Sequence, residues 1–299
     1  MYTKRVLSIN TLLAILGPSI IFLVIYSSAI YFLYEFTGYD DIAIPLSVPT
    51  VLGTAISILL GFRTSSAYDR WWEGRKIWGA IINDSRTLVR QSIGFIVGKE
   101  KSDHIKMIAH RQIAWCYSLN HSLRNLSVPE EVNKYLGTKE YDSISSQTNM
   151  PNGILKFHEE YLSSIYQNQN IESYHFTAMD QTLKGLCDHM GKCERIKKTV
   201  FPLQYSIIAR WAIFLFLLIL PFGMVSVVGP FVVPITIIVA FFFLLIEKIA
   251  FYLQDPFENR EADVPLSSIC RTIEINLLEM IDEKDIPETL LPNERGILM

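Results

Sequence analysis

The stretch GFRTSSAYDRWWEGRKIWGAIIND, Gly61–Asp84, joins an uncharged segment to a strongly charged one. No Asp, Glu, Lys or Arg occurs from Ile42 to Phe62, and the charges begin at Arg63. A helix needs about 20 predominantly apolar residues to cross a bilayer. The stretch therefore marks the point where a membrane-spanning helix leaves the lipid, with tryptophans that suit the membrane boundary.

Three uncharged runs in the 299 residues predict four membrane-spanning helices. Val6–Tyr34 and the run that ends at Phe62 are each long enough for one helix. Trp211–Ile246 is long enough for two helices, and its Gly229-Pro230 dipeptide is a turn signal. The first run is too long for a cleaved signal peptide. We expect two membrane hairpins, at about 11–62 and 206–252.

The distribution of basic residues predicts the topology. The short loop inside each hairpin lacks Lys and Arg, whereas basic residues stand at the opposite ends of the four helices: Lys4, Arg5, Arg63, Arg70, Lys197, Lys198 and Arg210. The positive-inside rule places both termini in the cytosol, together with residues 63–205 and 253–281. The expected location is the cell membrane, with several crossings, and the inner membrane if the protein is bacterial.

The cytosolic parts are helical by pattern. Apolar residues recur at spacings of three and four over residues 105–123, 154–165 and 176–200 and again after Pro265. Asn125–Gly153 is polar and is predicted to be a long loop. No linker separates these segments from the hairpins, so we expect an all-α protein with one domain, residues 1–281, followed by a flexible tail, residues 282–299.

The second membrane helix carries the functional prediction. Three small residues recur four apart, a stripe that allows close helix packing: Gly53, Ser57 and Gly61. The adjacent stripe consists of Thr54, Ile58 and Phe62. If several copies of this helix surround an axis, rings of Ile58 and Phe62 form an apolar constriction that gates ions by dewetting. The alternative is that both side chains face lipid or a neighbouring helix.

The sequence lacks residues that several functional classes of protein need. The centres of the predicted spans contain no ionisable side chain for a proton relay and no histidine for haem. Cys187, His189 and Cys193 match no zinc spacing and are interpreted as core and surface residues. The net charge of −3 does not indicate nucleic acid as a partner. We expect neither an enzyme nor a cofactor, which leaves passive conduction or a membrane scaffold.

Three stretches closely resemble the bacterial branch of the bestrophin family: LLGFRTSSAYDRWWEGRKIWGAIINDSRTL, IESYHFTAMDQTL and DPFENREADVPLSSICRTIEINLLEM. The resemblance implies a homopentamer around one central pore, surrounded by membrane lipids and passing small monovalent ions. It places the neck of the pore at Thr54, Ile58 and Phe62 and a cytosolic aperture near Ile171. The family label is chloride channel. Uncharged rings select no sign, however, and Asp40 and Asp41 at the outer mouth would favour cations.

The resemblance also covers two charged segments. The signature AYDRWWEGR contains residues expected to pair and pack with neighbouring helices or subunits: Asp69, Arg70, Trp71, Trp72 and Arg75. Animal members share an unbroken acidic run after the last membrane helix, which binds calcium between subunits. The matching acidic residues here are Asp255, Glu258, Glu261 and Asp263, interrupted by Arg260 and Ala262. Because calcium needs six to eight oxygen ligands, we predict no metal site in this segment.

Overall fold

The computed structural model describes residues 9–36, 42–199, 201–294 and 296–298. These residues form ten α-helices and no β-strand, which confirms the all-α expectation. The helices are α1 (Ile9–Phe36), α2 (Ser47–Phe95), α3 (Lys101–Arg124), α4 (Glu130–Leu136), α5 (Thr138–Ile144), α6 (Met150–Gln167), α7 (Ser173–Lys198), α8 (Leu203–Val228), α9 (Val232–Leu253) and α10 (Leu266–Met280).

Three segments of the described chain are long and apolar enough to cross a membrane: Gly17–Phe36, Ser47–Phe95 and Gln204–Leu253. The third contains both α8 and α9, which are joined by a short 3-10 turn, Gly229–Phe231. Gly229 adopts a positive φ of 55°, a conformation that favours glycine. The turn expected at this dipeptide is therefore confirmed.

The first compact unit comprises the described residues up to Arg70 together with Phe201–Asp255. Phe216 of α8 packs against Phe243 of α9, with ring centroids 5.0 Å apart. A ring atom of the same Phe216 lies 3.0 Å from where a Cβ at Gly53 would stand, so glycine leaves room for this ring against α2. Tyr26 of α1 donates a hydrogen bond to the Leu218 carbonyl oxygen of α8, at 2.9 Å. We call this the membrane unit.

The second compact unit comprises Trp71–Thr199 and the described residues from Pro256 onward. Its core is built on two fully buried tryptophans, Trp78 of α2 and Trp115 of α3. Apolar residues of α6, α7 and α10 complete this core. We call this the helical unit. The chain thus forms two compact units. The expectation of one domain over residues 1–281 stays a prediction.

The prediction of a loop over residues 125–153 was wrong. This segment contains α4 and α5, and α6 begins at its end with Asn149 as N-cap, whose side chain accepts the Asn152 N–H at 3.1 Å. Helices of seven residues are marginal alone and are stabilised mainly by burial. Val132 and Ile144 are fully buried here. Each short helix has too few apolar residues for a helical spacing to be recognised in the sequence.

The segment after α10 makes defined contacts. Lys106 of α3 approaches Glu283 with its ammonium nitrogen 2.5 Å from a carboxylate oxygen, and His110 lies 3.6 Å from the same atom. Ile297 is 5% exposed. The flexibility expected for residues 282–299 stays a prediction.

Candidate functional site

One face of α2 is left uncovered by the rest of the described chain. Ile58 and Phe62 are 58% and 67% exposed, and Thr54 is exposed one turn earlier. On the opposite side of the same helix Ile56 and Leu60 are buried, with 6% and 2% exposure. An apolar stripe of this kind requires cover from lipid or from another protein surface.

The hydroxyl groups near this face bond back to the helix. Thr54 Oγ1 donates to the Thr50 carbonyl oxygen at 2.9 Å, and Ser57 Oγ donates to the Gly53 carbonyl oxygen at 2.7 Å. Each hydroxyl thus has its hydrogen bond within α2. The polarity that Thr54 adds to the apolar stripe is reduced by this bond.

The small-residue stripe divides between two roles. Gly53 faces Phe216 within the same chain. Apart from the adjacent backbone of α2, no atom of the described residues lies within 4 Å of where a Cβ at Gly61 would stand, and Ser57 is exposed. Of the three, Gly53 therefore has a packing partner within the described part of the chain.

The charged residues that follow the apolar stripe have partners distant in sequence. Arg70 lies 3.9 Å from a carboxylate oxygen of Asp255, and Glu73 pairs with Arg195 at 2.7 Å. Asp69 is exposed and Arg75 is half-buried. No pattern in the sequence joins these partners, because they lie more than 100 residues apart.

The two signature tryptophans anchor a loop. Trp71 Nε1 donates to the Ala262 carbonyl oxygen at 3.1 Å, and its ring stacks on that of Trp72 with centroids 6.3 Å apart. One turn later, a Cβ at Gly74 would stand 3.0 Å from the Phe257 ring, so glycine leaves room for this ring. The signature thus holds the loop that carries the interrupted acidic run.

Acidic side chains of that loop form hydrogen bonds and an ion pair within the chain. Asp263 Oδ2 accepts the backbone N–H groups of Glu258 and Arg260, at 2.6 and 3.1 Å. Burial of Asp263 raises the pKa of its carboxyl, although these two hydrogen bonds act in the opposite direction. Glu258 pairs with Lys197 at 2.7 Å, and Glu261 is half-buried. Across the described ranges, no three His, Cys, Asp or Glu side chains are arranged to hold a metal ion.

Three other predicted positions have different outcomes. Ile171 is 4% exposed and packs in the core of the helical unit, while Tyr174 nearby is 82% exposed. The aperture near Ile171 stays a prediction. His189 is half-buried and lies 3.1 Å from a carboxylate oxygen of Asp84, and its interpretation as a core or surface residue stays a prediction. The outer aspartates, Asp40 and Asp41, lie outside the described residues.

Comparison with known proteins supplies the family. The profile described as "Bacterial/Fungal Bestrophin protein" matches residues 4–279. The voltage-dependent anion channel-forming protein YneE of Escherichia coli is 31% identical over 269 residues, which cover 90% of this chain and 88% of that one. A voltage-dependent anion channel-forming protein of Nostoc is 33% identical, with 86% of this chain and 83% of that one covered.

Solved structures agree with this result. The crystal structure of a bacterial bestrophin homologue from Klebsiella pneumoniae superposes with a TM-score of 0.83 at 28% identity, over 89% of this chain and 98% of that one. Relatives named as channel-forming proteins confirm that the chain is not an enzyme. The protein belongs to the bacterial and fungal bestrophin family.

Proposed function

We propose that the protein is a homopentameric, multi-pass channel of the cell membrane that conducts small anions. In this proposal four helices, α1, the first half of α2, α8 and α9, cross the bilayer, and both termini lie in the cytosol. The pore is lined by one copy of α2 from each subunit. The observation that carries the proposal is the uncovered face of α2, on which Ile58 and Phe62 are more than half exposed.

The neck of the pore consists of rings of Ile58 and Phe62, with Thr54 one turn away. A narrow ring of apolar side chains excludes water and so blocks ions without a charged gate. The back-bonded hydroxyl of Thr54 makes it compatible with this apolar surface. Gly61, which has open space beside it among the described residues, and the exposed Ser57 allow neighbouring copies of α2 to approach.

The preference for anions rests on the relatives, which are named voltage-dependent anion channel-forming proteins. The face of α2 itself carries no charge between Ser47 and Phe62, so it selects neither sign. Cation conduction and a non-conducting scaffold are therefore outcomes that the experiment distinguishes.

The test is a planar-bilayer recording of purified protein in asymmetric salt, with Phe62→Ala beside the wild type. We expect larger or longer currents in the variant because the neck is widened and less apolar. Phe231→Ala is the matched control, because Phe231 is also 67% exposed but lies in the turn between α8 and α9. It should leave the current unchanged.

The reversal potential decides the selectivity. A potential close to the equilibrium potential of chloride supports the proposal, and one close to that of the cation replaces it with a cation channel. Absence of current in both proteins, from material shown to be pentameric, would support the scaffold instead.

A further inference from the structure

The membrane unit contains a cluster of three charged residues at one end of its helices. Arg63 Nη1 of α2 lies 3.2 Å from Glu247 Oε1 of α9, and Arg210 Nη2 of α8 lies 3.3 Å from the same oxygen. We call these residues the ion triad. The Arg63 side chain is 0% exposed and that of Glu247 is 9% exposed, whereas that of Arg210 is 57% exposed.

The ion triad lies behind the neck. Arg63 follows Phe62 directly and is about 140° around the helix from Ile58, at 100° per residue. It belongs to the buried face of α2, with Leu60 and Ala67. The triad therefore fixes the back of the helix whose front carries the apolar stripe.

A second contact holds the same turn of α2. The Tyr205 hydroxyl of α8 donates to the Leu59 carbonyl oxygen at 3.1 Å. In an α-helix that carbonyl also accepts the backbone N–H of the residue four positions later, which is Arg63. Helices α8 and α9 thus both bind α2 at the level of the neck.

The charges in the triad are not equivalent. Arg63 Nε and Nη2 are buried and have no hydrogen-bond partner among the described residues, so Glu247 is the counter-charge of this guanidinium. Removing one member of a buried ion pair is strongly destabilising, because the other charge remains buried and uncompensated. Replacing both members with apolar residues is often neutral. Arg210, by contrast, is exposed enough to be hydrated.

We propose that Glu247 is the positioning residue of the pore helix. It neutralises Arg63, and this allows the back of α2 to stay buried while Ile58 and Phe62 face the pore. Without Glu247, α2 must shift to bring Arg63 to water, and the neck opens. The proposal rests on the proposed function, since it assigns Ile58 and Phe62 to the gate.

Single-channel recording of Glu247→Gln tests the proposal. We expect the ratio of open to closed time to rise at least about tenfold, because an unpaired buried charge favours any state that hydrates it. The conductance of the open channel should not change, since the residues that line the neck are the same. A purely structural defect would reduce the number of active channels and leave this ratio unaltered.

Two variants serve as controls. Arg210→Gln leaves Arg63 paired with Glu247 and should change the ratio by less than about twofold. Arg63→Met/Glu247→Met removes both buried charges and should return the ratio towards that of the wild type. If Glu247→Gln does not assemble but the double variant does, the unpaired Arg63 is the cause of that failure, and Glu247→Asp, which keeps the charge on a shorter side chain, replaces Glu247→Gln in the recordings. A raised open ratio in Glu247→Asp supports the proposal, and an unchanged ratio overturns it. Failure of both Glu247→Gln and the double variant to assemble overturns it.

A spin label separates this proposal from the proposed function. Ser65 is exposed on α2, two residues beyond Arg63, so Ser65→Cys in a Cys187→Ser background reports the position of the helix whether or not the protein conducts. We expect the distances between labelled subunits to change or broaden with Glu247→Gln. Unchanged distances, or a conducting wild type whose open ratio Glu247→Gln does not alter, would overturn the positioning role.

Discussion

Glu274 of α10 is the most instructive residue to remove from the helical unit. It is 2% exposed, and its two carboxylate oxygens accept hydrogen bonds from the hydroxyls of Tyr117 and Tyr135, at 2.6 and 2.7 Å. Arg271 Nε lies 3.2 Å from one of these oxygens. Burial, and then the bonds to Glu274, raise the pKa of both tyrosines, so their hydroxyls remain protonated donors.

The cost of Glu274→Ala follows from these contacts. A hydrogen bond to a charged group contributes about 1.5–3 kcal/mol, so two give about 3–6 kcal/mol. The lost packing adds to this value, and partial hydration of the two tyrosines reduces it. For a cooperative unit of about 150–250 residues, each kcal/mol lowers Tm by about 2–4 °C, so we expect a decrease of about 6–24 °C.

Tryptophan fluorescence during heating of the detergent-solubilised protein measures this change, because Trp78 and Trp115 are fully buried in the same unit. Glu279→Gln, at an exposed position of α10, is the matched control and should leave Tm unchanged. Tyr135→Phe should lower Tm in the wild type but not in Glu274→Ala, where its bond is already lost. Equal Tm values for Glu274→Ala and the wild type would refute the reasoning.

Two further predictions concern protons and calcium. Burial, and then the nearby Arg111, lower the pKa of His158 well below 6.5, so the unfolded chain takes up a proton that the folded chain does not, and stability falls as the pH decreases below 6.5. Tm should therefore fall less steeply towards acid in His158→Gln than in the wild type or in the control His121→Gln, and parallel curves would argue against this. Channel current should change by less than about twofold between chelator and micromolar calcium, because Asp263 is used by the backbone of its own loop. A sharp calcium-dependent switch in the recordings would contradict that prediction.

The sequence was sufficient where one physical rule decided the outcome. The uncharged runs and the Gly229-Pro230 dipeptide predicted the apolar segments and the turn, because membrane thickness and backbone geometry leave few alternatives. The sequence was insufficient where a local structure depends on burial against residues that are distant in the chain. The short helices α4 and α5 have too few apolar residues to show a period.

The ion triad illustrates the same limit. Arg63 and Glu247 are 184 residues apart, and no pattern in the sequence joins them. One signal was present: each is the first charge after an uncharged run, and the predicted topology puts both at the cytosolic end of their helices. A positive and a negative charge at the same membrane depth are candidates for pairing, because burial of either one alone is costly.

The orientation of Arg63 bears on ion selection. A cation one residue from the neck would attract anions if its side chain faced the pore. The guanidinium instead lies on the buried side of α2 and is compensated by Glu247, while the exposed side presents Ile58 and Phe62. In the proposed channel the neck therefore acts as a gate that is indifferent to sign, and any preference for anions must arise from charges elsewhere along the pore. Substitutions at Ile58 or Phe62 that keep the ring apolar should then change how often the channel opens without moving its reversal potential.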